Sequence, residues 1–274
     1  MPNDARRLAD MTVGQHTPRL EAVALAIPPE DVVLDRRGVI HNDVLRHSAH
    51  LHTANFTAIH TADLRRLFAL YDQYCFEHHC QQTLGTTPLE FRLSTRMTKA
   101  GGATTRYRTH TGGVRYEIAI ACGLLFESFG TQDRTITVCG LVCTTRLEAL
   151  QRIVEHELVH LIEYLCWGVS DCSKERFQQI ARAQFLHKAH THQLITRRER
   201  AANAGIRPGH PVTFTFEGRS YAGIVNRITK RATVLVEDPT GQPFSDGRRY
   251  RTFYVPIELL HPSRKHEKNA DNLV

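Results

Sequence analysis

Apolar residues between Leu147 and Leu165 fall at Leu147, Leu150, Ile153, Val154, Leu158, Leu161, Ile162 and Leu165, close to a 3.6-residue period. This spacing predicts a helix with one buried stripe. Thr144 or Thr145 can cap its start, Glu148 suits the first turn, and Gly168-Val169-Ser170-Asp171 ends it. A second amphipathic pattern, Phe177, Ile180, Ala181 and Phe185, follows the polar turn Ser170 to Ser173. A third, from Asp63 to Leu84, carries Leu64, Leu67, Phe68, Leu70, Tyr71, Tyr74 and Cys75 behind a Thr61 cap. His78 and His79 lie near its end, where a helix dipole favours them. Strand-like runs occupy Leu89 to Ser94, Thr104 to Arg108, Val114 to Ala121 and Thr135 to Val138, with Gly101-Gly102 and Gly112-Gly113 as turns. Leu20 to Val44 alternates loosely, and the run from Val32 to Ile40 suggests a short hairpin around Arg37-Gly38. The order is that of an α+β domain with a small mixed sheet.

The last third changes character. Val212 to Phe216, Tyr221 to Ile228, Ala232 to Val236 and Tyr250 to Val255 read as short strands, with turns at Gly218, Asp238 to Gly241 and Asp246-Gly247. The pattern predicts a small all-β barrel, with Phe214, Phe216 and Val234 in its core. The expected organisation is a mobile N-terminus at 1–18, an N-terminal segment with a short hairpin at 19–60, the α+β domain at 61–195, the barrel at 196–262 and a disordered tail at 263–274.

The chemistry sits in the first of these helices. Glu155-His156-Glu157-Leu158-Val159-His160 contains H-E-x-x-H, and a helix places His156 and His160 one turn apart on one face. Two imidazoles so placed can bind one Zn²⁺, and Glu157 can act on a metal-bound water as general base. A catalytic zinc needs a third protein ligand and an open position. Cys172, a soft thiolate donor, is the favoured candidate, with Asp171, Glu175, His187, His190 and His192 as alternatives. Glu163, on the same face as His160, reads as a partner that orients a ligand histidine. Cys139 and Cys143, spaced Cys-x3-Cys at an expected strand-to-helix junction, read as buried thiols.

From about Phe68 to Leu194 the chain resembles the SprT-like (Spartan-type) zinc metallopeptidase domain. The resemblance rests on Ser94 to Gly102, on Tyr116 to Ala121 followed by Leu124-Leu125-Phe126, similar to the family's next strand and the turn after it, and on the motif helix leading to Phe177 to Arg182. It implies a zincin-like fold in which an edge strand of the sheet holds an extended peptide beside the metal. It also implies a zinc-dependent endopeptidase acting on proteins trapped on DNA. The family's usual third ligand is a His followed by Gly; Ser173 and Lys174 stand there instead. The family's C-terminal zinc ribbon is absent, since no Cys-x-x-Cys occurs. By pattern alone, the last third resembles an SH3-like or KOW-type barrel.

The 274 residues, 41% hydrophobic and 23% charged, have an ordinary globular composition. No run approaches the ~20 apolar residues of a membrane span and no signal-like core follows the N-terminus, so no membrane association is expected. Seven scattered cysteines fit a reducing cytoplasm better than a disulfide framework. The net charge of +7 is localised: residues 196–265 hold 13 Lys+Arg against 6 Asp+Glu, and the rest is balanced at 22 of each. Such asymmetry points to an acidic polymer, DNA first, through Arg197, Arg198, Lys230, Arg231, Arg248 and Arg249, with Tyr221, Phe253 and Tyr254 nearby for stacking. The expected function is a zinc endopeptidase acting on DNA-bound protein. The alternative is a non-catalytic nucleic-acid-associated protein with a structural or degenerate metal site.

Overall fold

The computed structural model describes residues 17–263 other than 111, 131 and 132, so the expectations for the two termini lie almost wholly outside the described residues. The chain divides between Ile195 and Thr196 into two compact units. Together they form a mixed α+β architecture with three small sheets. Among the described residues no helix is long and apolar enough to cross a membrane.

The first unit is organised around the long motif helix. In chain order its helices are α1 (residues 17–25), α2 (Glu30–His47), α3 (Thr61–Phe76), α4 (His79–Leu84), α5 (Cys122–Glu127), α6 (Arg146–Trp167) and α7 (Glu175–Phe185). Its strands are β1 (Leu89–Leu93), β2 (Gly102–Arg108), β3 (Val114–Ile120), β4 (Ile136–Val138), β5 (Leu141–Cys143) and β6 (His192–Gln193). β3 is central in one sheet, parallel to β1 and antiparallel to β2, which leaves β2 at an edge. β4 pairs with β5 and β6 in the other. The core gathers Leu147, Leu150, Ile153, Leu158, Leu161 and Ile162 of α6 against Leu64, Leu67 and Tyr71 of α3 and Phe177, Ile180 and Phe185 of α7.

Three elements differ from the sequence reading. The hairpin expected around Arg37-Gly38 is instead the middle of helix α2. Val33, Ile40 and Val44, seven and four residues apart, form its buried stripe, while Leu34 is 50% exposed. The helix expected from Asp63 to Leu84 breaks in two where Glu77 and His78 take left-handed conformations, with φ of 53° and 64°. Its cap is His60, not Thr61: the His60 ring accepts from Ala62 N–H, while the Asp63 carboxylate accepts from His60 N–H at 2.7 Å. His78 and His79 therefore lie just past the end of α3, as the N-cap and first residue of α4, and not near the end of one continuous helix. Third, Leu124-Leu125-Phe126 lies in a short helix, α5, and not in a turn.

The second unit contains α8 (Arg197–Asn203), β7 (Pro211–Phe216), β8 (Arg219–Ile228), β9 (Ala232–Pro243), β10 (Arg249–Val255) and β11 (His261–Pro262). These strands form an antiparallel sheet in the order β10-β9-β8-β7-β11, with no pairing among described residues that closes it into the expected barrel. β9 bulges at the expected Asp238 to Gly241 turn, because Tyr250 pairs with Glu237 while Arg249 pairs with Pro243. Phe214, Val234 and Phe253 are buried with Ala201 and Ile206 beneath α8. Phe216, expected in the core, is 44% exposed at the β7–β8 turn, and of the three aromatics expected to be free for stacking only Tyr254 is strongly exposed.

Candidate metal centre

Helix α6 starts where Thr145 accepts from Glu148 N–H at 3.2 Å and ends at Gly168, whose φ of 73° suits a residue without Cβ. This fixes the motif in mid-helix. His156 Nε2 and His160 Nε2 face each other at 3.2 Å. Phe177 of α7 packs against both rings, with centroids 4.8 and 4.6 Å away.

The outer partners decide which nitrogens are free. The Ser170 hydroxyl donates to Glu163 Oε2 at 2.7 Å, so its oxygen can only accept from His160 Nδ1–H, 2.6 Å away. His160 Nε2 therefore carries a lone pair. His156 Nδ1 lies 3.8 Å from Cys139 Sγ, which itself faces the Arg152 carbonyl. Two imidazole nitrogens at 3.2 Å need a proton or a cation between them. Burial pushes His160 down to about 4, against the opposing charges of Glu163 and Asp171. Burial and the neighbouring His192 and His160 hold His156 far below its usual range. Both rings are thus neutral at pH 7, as metal ligands must be.

Cys172 is brought to this pair: one donor atom each of His156, His160 and Cys172 lie within 4.8 Å of one another. A second cluster, Cys139, His156 and His192, meets the same criterion and shares His156. Both donor sets are suited to a metal ion. The other candidates point elsewhere. His187 Nε2 is engaged by buried Glu155 at 2.9 Å, Glu175 is exposed and accepts from Gln179, Asp171 caps the backbone of Ser173, and His190 is exposed. Glu163 reaches His160 through Ser170, and is itself held by Arg176 Nε at 2.7 Å.

Glu157 is almost fully buried, and Thr104 Oγ1 from edge strand β2 lies 2.8 Å from its Oε2. Burial pushes the carboxyl up to about 8, against the hydrogen bonds from Thr104. A nearby cation reverses this preference and favours the carboxylate. Burial, and after it the charge of Asp171, raises the Cys172 thiol. Gly102 makes room for Glu157: a Cβ there would stand 2.6 Å from Glu157 Oε1 and 2.7 Å from its Cγ. Gly102→Ala is accordingly expected to cost about 1–3 kcal/mol by overpacking, read as a lower denaturant midpoint at unchanged slope. A midpoint equal to wild type would show that Glu157 moves freely.

Sequence reasoning missed Thr104 and Gly102 because they meet α6 across the sheet. It also misplaced Cys139. Cys139 and Cys143 are buried as expected, but Cys139 sits with Gly140 in the two-residue turn between β4 and β5, at φ 54°, and not at a strand-to-helix junction. Segment 188–191 locks it there through Cys139 N–H to Thr191 O at 2.9 Å and Lys188 N–H to Cys139 O at 2.9 Å, which carries His192 to His156. Tyr116 and Tyr164 pack against each other, with centroids 6.2 Å apart.

The six basic candidates of the second unit do not form one patch. Lys230 and Arg231 occupy the β8–β9 turn and Arg248 and Arg249 the β9–β10 connection, at opposite ends of β9. Arg248 pairs with Glu237 at 3.4 Å, and Arg249 donates to Gly241 O at 2.9 Å. Arg197 and Arg198 lie on α8. Compared with models of known protein families, with curated proteins and with solved structures, the chain matches none.

Proposed function

We propose that the first unit is a zinc-dependent endopeptidase of SprT-like, zincin type. The supporting observation is the 3.2 Å approach of two Nε2 atoms whose partner nitrogens face Ser170 and Cys139. Tetrahedral zinc with Zn–N bonds of ~2.0–2.1 Å sets two nitrogens ~3.3 Å apart. His156, His160 and Cys172 are the proposed ligands, a mixed nitrogen and sulfur set that suits zinc. Bound zinc supplies Lewis-acid polarisation and an acidified water as nucleophile. Thr104 holds Oε2 of Glu157, so Oε1 takes the proton and passes it to the leaving amine. Edge strand β2, which carries Thr104, offers main-chain donors and acceptors to an extended substrate peptide. The basic second unit binds DNA and brings the peptidase to protein substrates bound there.

Metal analysis tests the ligand set. Wild type is expected to retain one zinc per chain after dialysis, and His160→Ala and Cys172→Ala to lose it. Each loss should exceed the roughly 10–100-fold affinity cost of removing an outer partner such as Glu163. Zinc kept by Cys172→Ala but lost by His192→Ala would reassign the third ligand to the neighbouring cluster. A competing reading, a nucleic-acid-associated protein with a structural zinc, draws support from the thiol in both donor sets. Zinc-loaded wild type that cleaves no protein in the presence of DNA would select it.

A further inference from the structure

The two ends of β9 differ in what their cations face. Around the far end, Arg248 and Arg249 are already engaged. Around the near end, a cavity of ≈ 400 Å³ opens between α8 and the end of β8, with Arg198, Arg207 and His210 at its sides and Ile206, Pro208 and Ile228 among its apolar lining. Lys230 and Arg231 stand two and three residues beyond the lining residue Ile228, in a turn tightened by Thr229 N–H to Arg231 O at 3.0 Å. No acidic residue lines the cavity. Among the described residues, the side chains of Arg198, Arg207, Lys230 and Arg231 make no hydrogen bond or ion pair, whereas Arg197 and Arg200 on the same helix are not without partners. Four unpaired cations beside one apolar hollow repel one another, and an anion of matching size relieves that repulsion.

We infer that this cavity is a site for one nucleotide unit of a single-stranded nucleic acid, with the base on the apolar lining and the flanking phosphates on Arg198, Arg207, Lys230 and Arg231. The volume lies within the range of small-ligand sites. A duplex, whose base faces are stacked away, has no group to fill the hollow; an unstacked strand offers both base and phosphates. Arg207 and His210 join the contact set, and Arg248 and Arg249 leave it. The inference rests on the nucleic-acid half of the proposed function and is independent of the peptidase half.

The test uses the full chain carrying Glu157→Gln, so that proteolysis plays no part, and fluorescence anisotropy of a labelled oligothymidylate. Arg198→Ala with Arg207→Ala is expected to weaken binding about tenfold or more, and to lower the salt slope by roughly 1.4, about 0.7 for each lost phosphate contact. Arg248→Ala with Arg249→Ala should change affinity less than about twofold, since neither makes a phosphate contact in this assignment. An abasic oligonucleotide of equal length should bind several-fold more weakly. Equal losses from the two arginine pairs, indifference to the missing bases, or preference for duplex would each overturn the assignment. So would competition by a mononucleotide at the same concentration as the oligonucleotide, which would make a free nucleotide the ligand.

Discussion

Glu157→Gln protein is expected to hold one zinc per chain, to melt no lower than wild type, and to cleave an unfolded protein substrate about 10²–10⁴-fold more slowly. The three readouts separate because the side chain is involved differently in each. It is not among the proposed ligands, whose donor atoms converge without it. Its fold contribution is small or negative, since burial disfavours the carboxylate and only Thr104 opposes that. A neutral amide of the same shape keeps the Thr104 contact and removes the cost of burying a charge. The proton transfer, in contrast, has no substitute, and general-base removal accounts for the predicted range. Cleavage at the wild-type rate by the Glu157→Gln protein would remove Glu157 from the chemistry. Loss of zinc or a much lower melting temperature would show that the residue builds the site and does not act in it.

Legibility in the sequence followed the distance over which each contact is made. His156, Glu157 and His160 lie within five residues of one helix, so one period and one motif placed them on a face. Glu163 was legible for the same reason, although its effect reaches His160 through Ser170 in the next turn. Cys172 could be named because the chain turns back only a few residues beyond α6. His192 was one name among several, since its approach to His156 depends on segment 188–191 hydrogen-bonding to Cys139, far away in sequence. Thr104 and Gly102 carry no signal of their own: a threonine and a glycine opening a strand acquire meaning only when α6 lies across it. The error at α2 has a similar origin. Three apolar residues in a row suit a strand or a helix equally, and the arbiter was the spacing to Ile40 and Val44. In the second unit, charge clustering in sequence was a poor guide to clustering in space, because successive turns of a meander alternate between its ends.

The largest stability effect is expected one residue before the proposed metal ligands. Glu155 is fully buried and accepts from Tyr71 Oη at 2.7 Å, Arg37 Nε at 3.1 Å and Arg152 Nη1 at 3.0 Å, while His187 Nε2 lies 2.9 Å away. These partners come from α3, α2, α6 and the segment after α7, so one carboxylate ties four parts of the first unit together. Arg37 also donates to the Phe185 carbonyl, and Gln151 Nε2 donates to the Arg37 carbonyl at 3.2 Å. Burial alone would raise the carboxyl, but Arg152 and Arg37, with the hydrogen bond from His187, outweigh it and hold Glu155 well below the usual carboxylate range. Glu155→Ala leaves two guanidiniums, each about a tenth exposed, without their counter-charge. Breaking a buried pair from one side costs about 3–5 kcal/mol. For a domain of this size that is a fall in melting temperature on the order of 10 °C. The half-buried Arg66–Asp43 pair, at 2.6 Å, supplies the contrast: its side chains are 36% and 23% exposed, so solvent partly screens it and Asp43→Ala should cost only about 1 kcal/mol. Both variants should be melted with a chelator present, so that any effect on zinc affinity through neighbouring His156 does not enter the comparison. Equal melting temperatures for the two would mean that the Glu155 cluster does not hold the fold, and the rigid placement of α6 against α2 and α3 would need another cause.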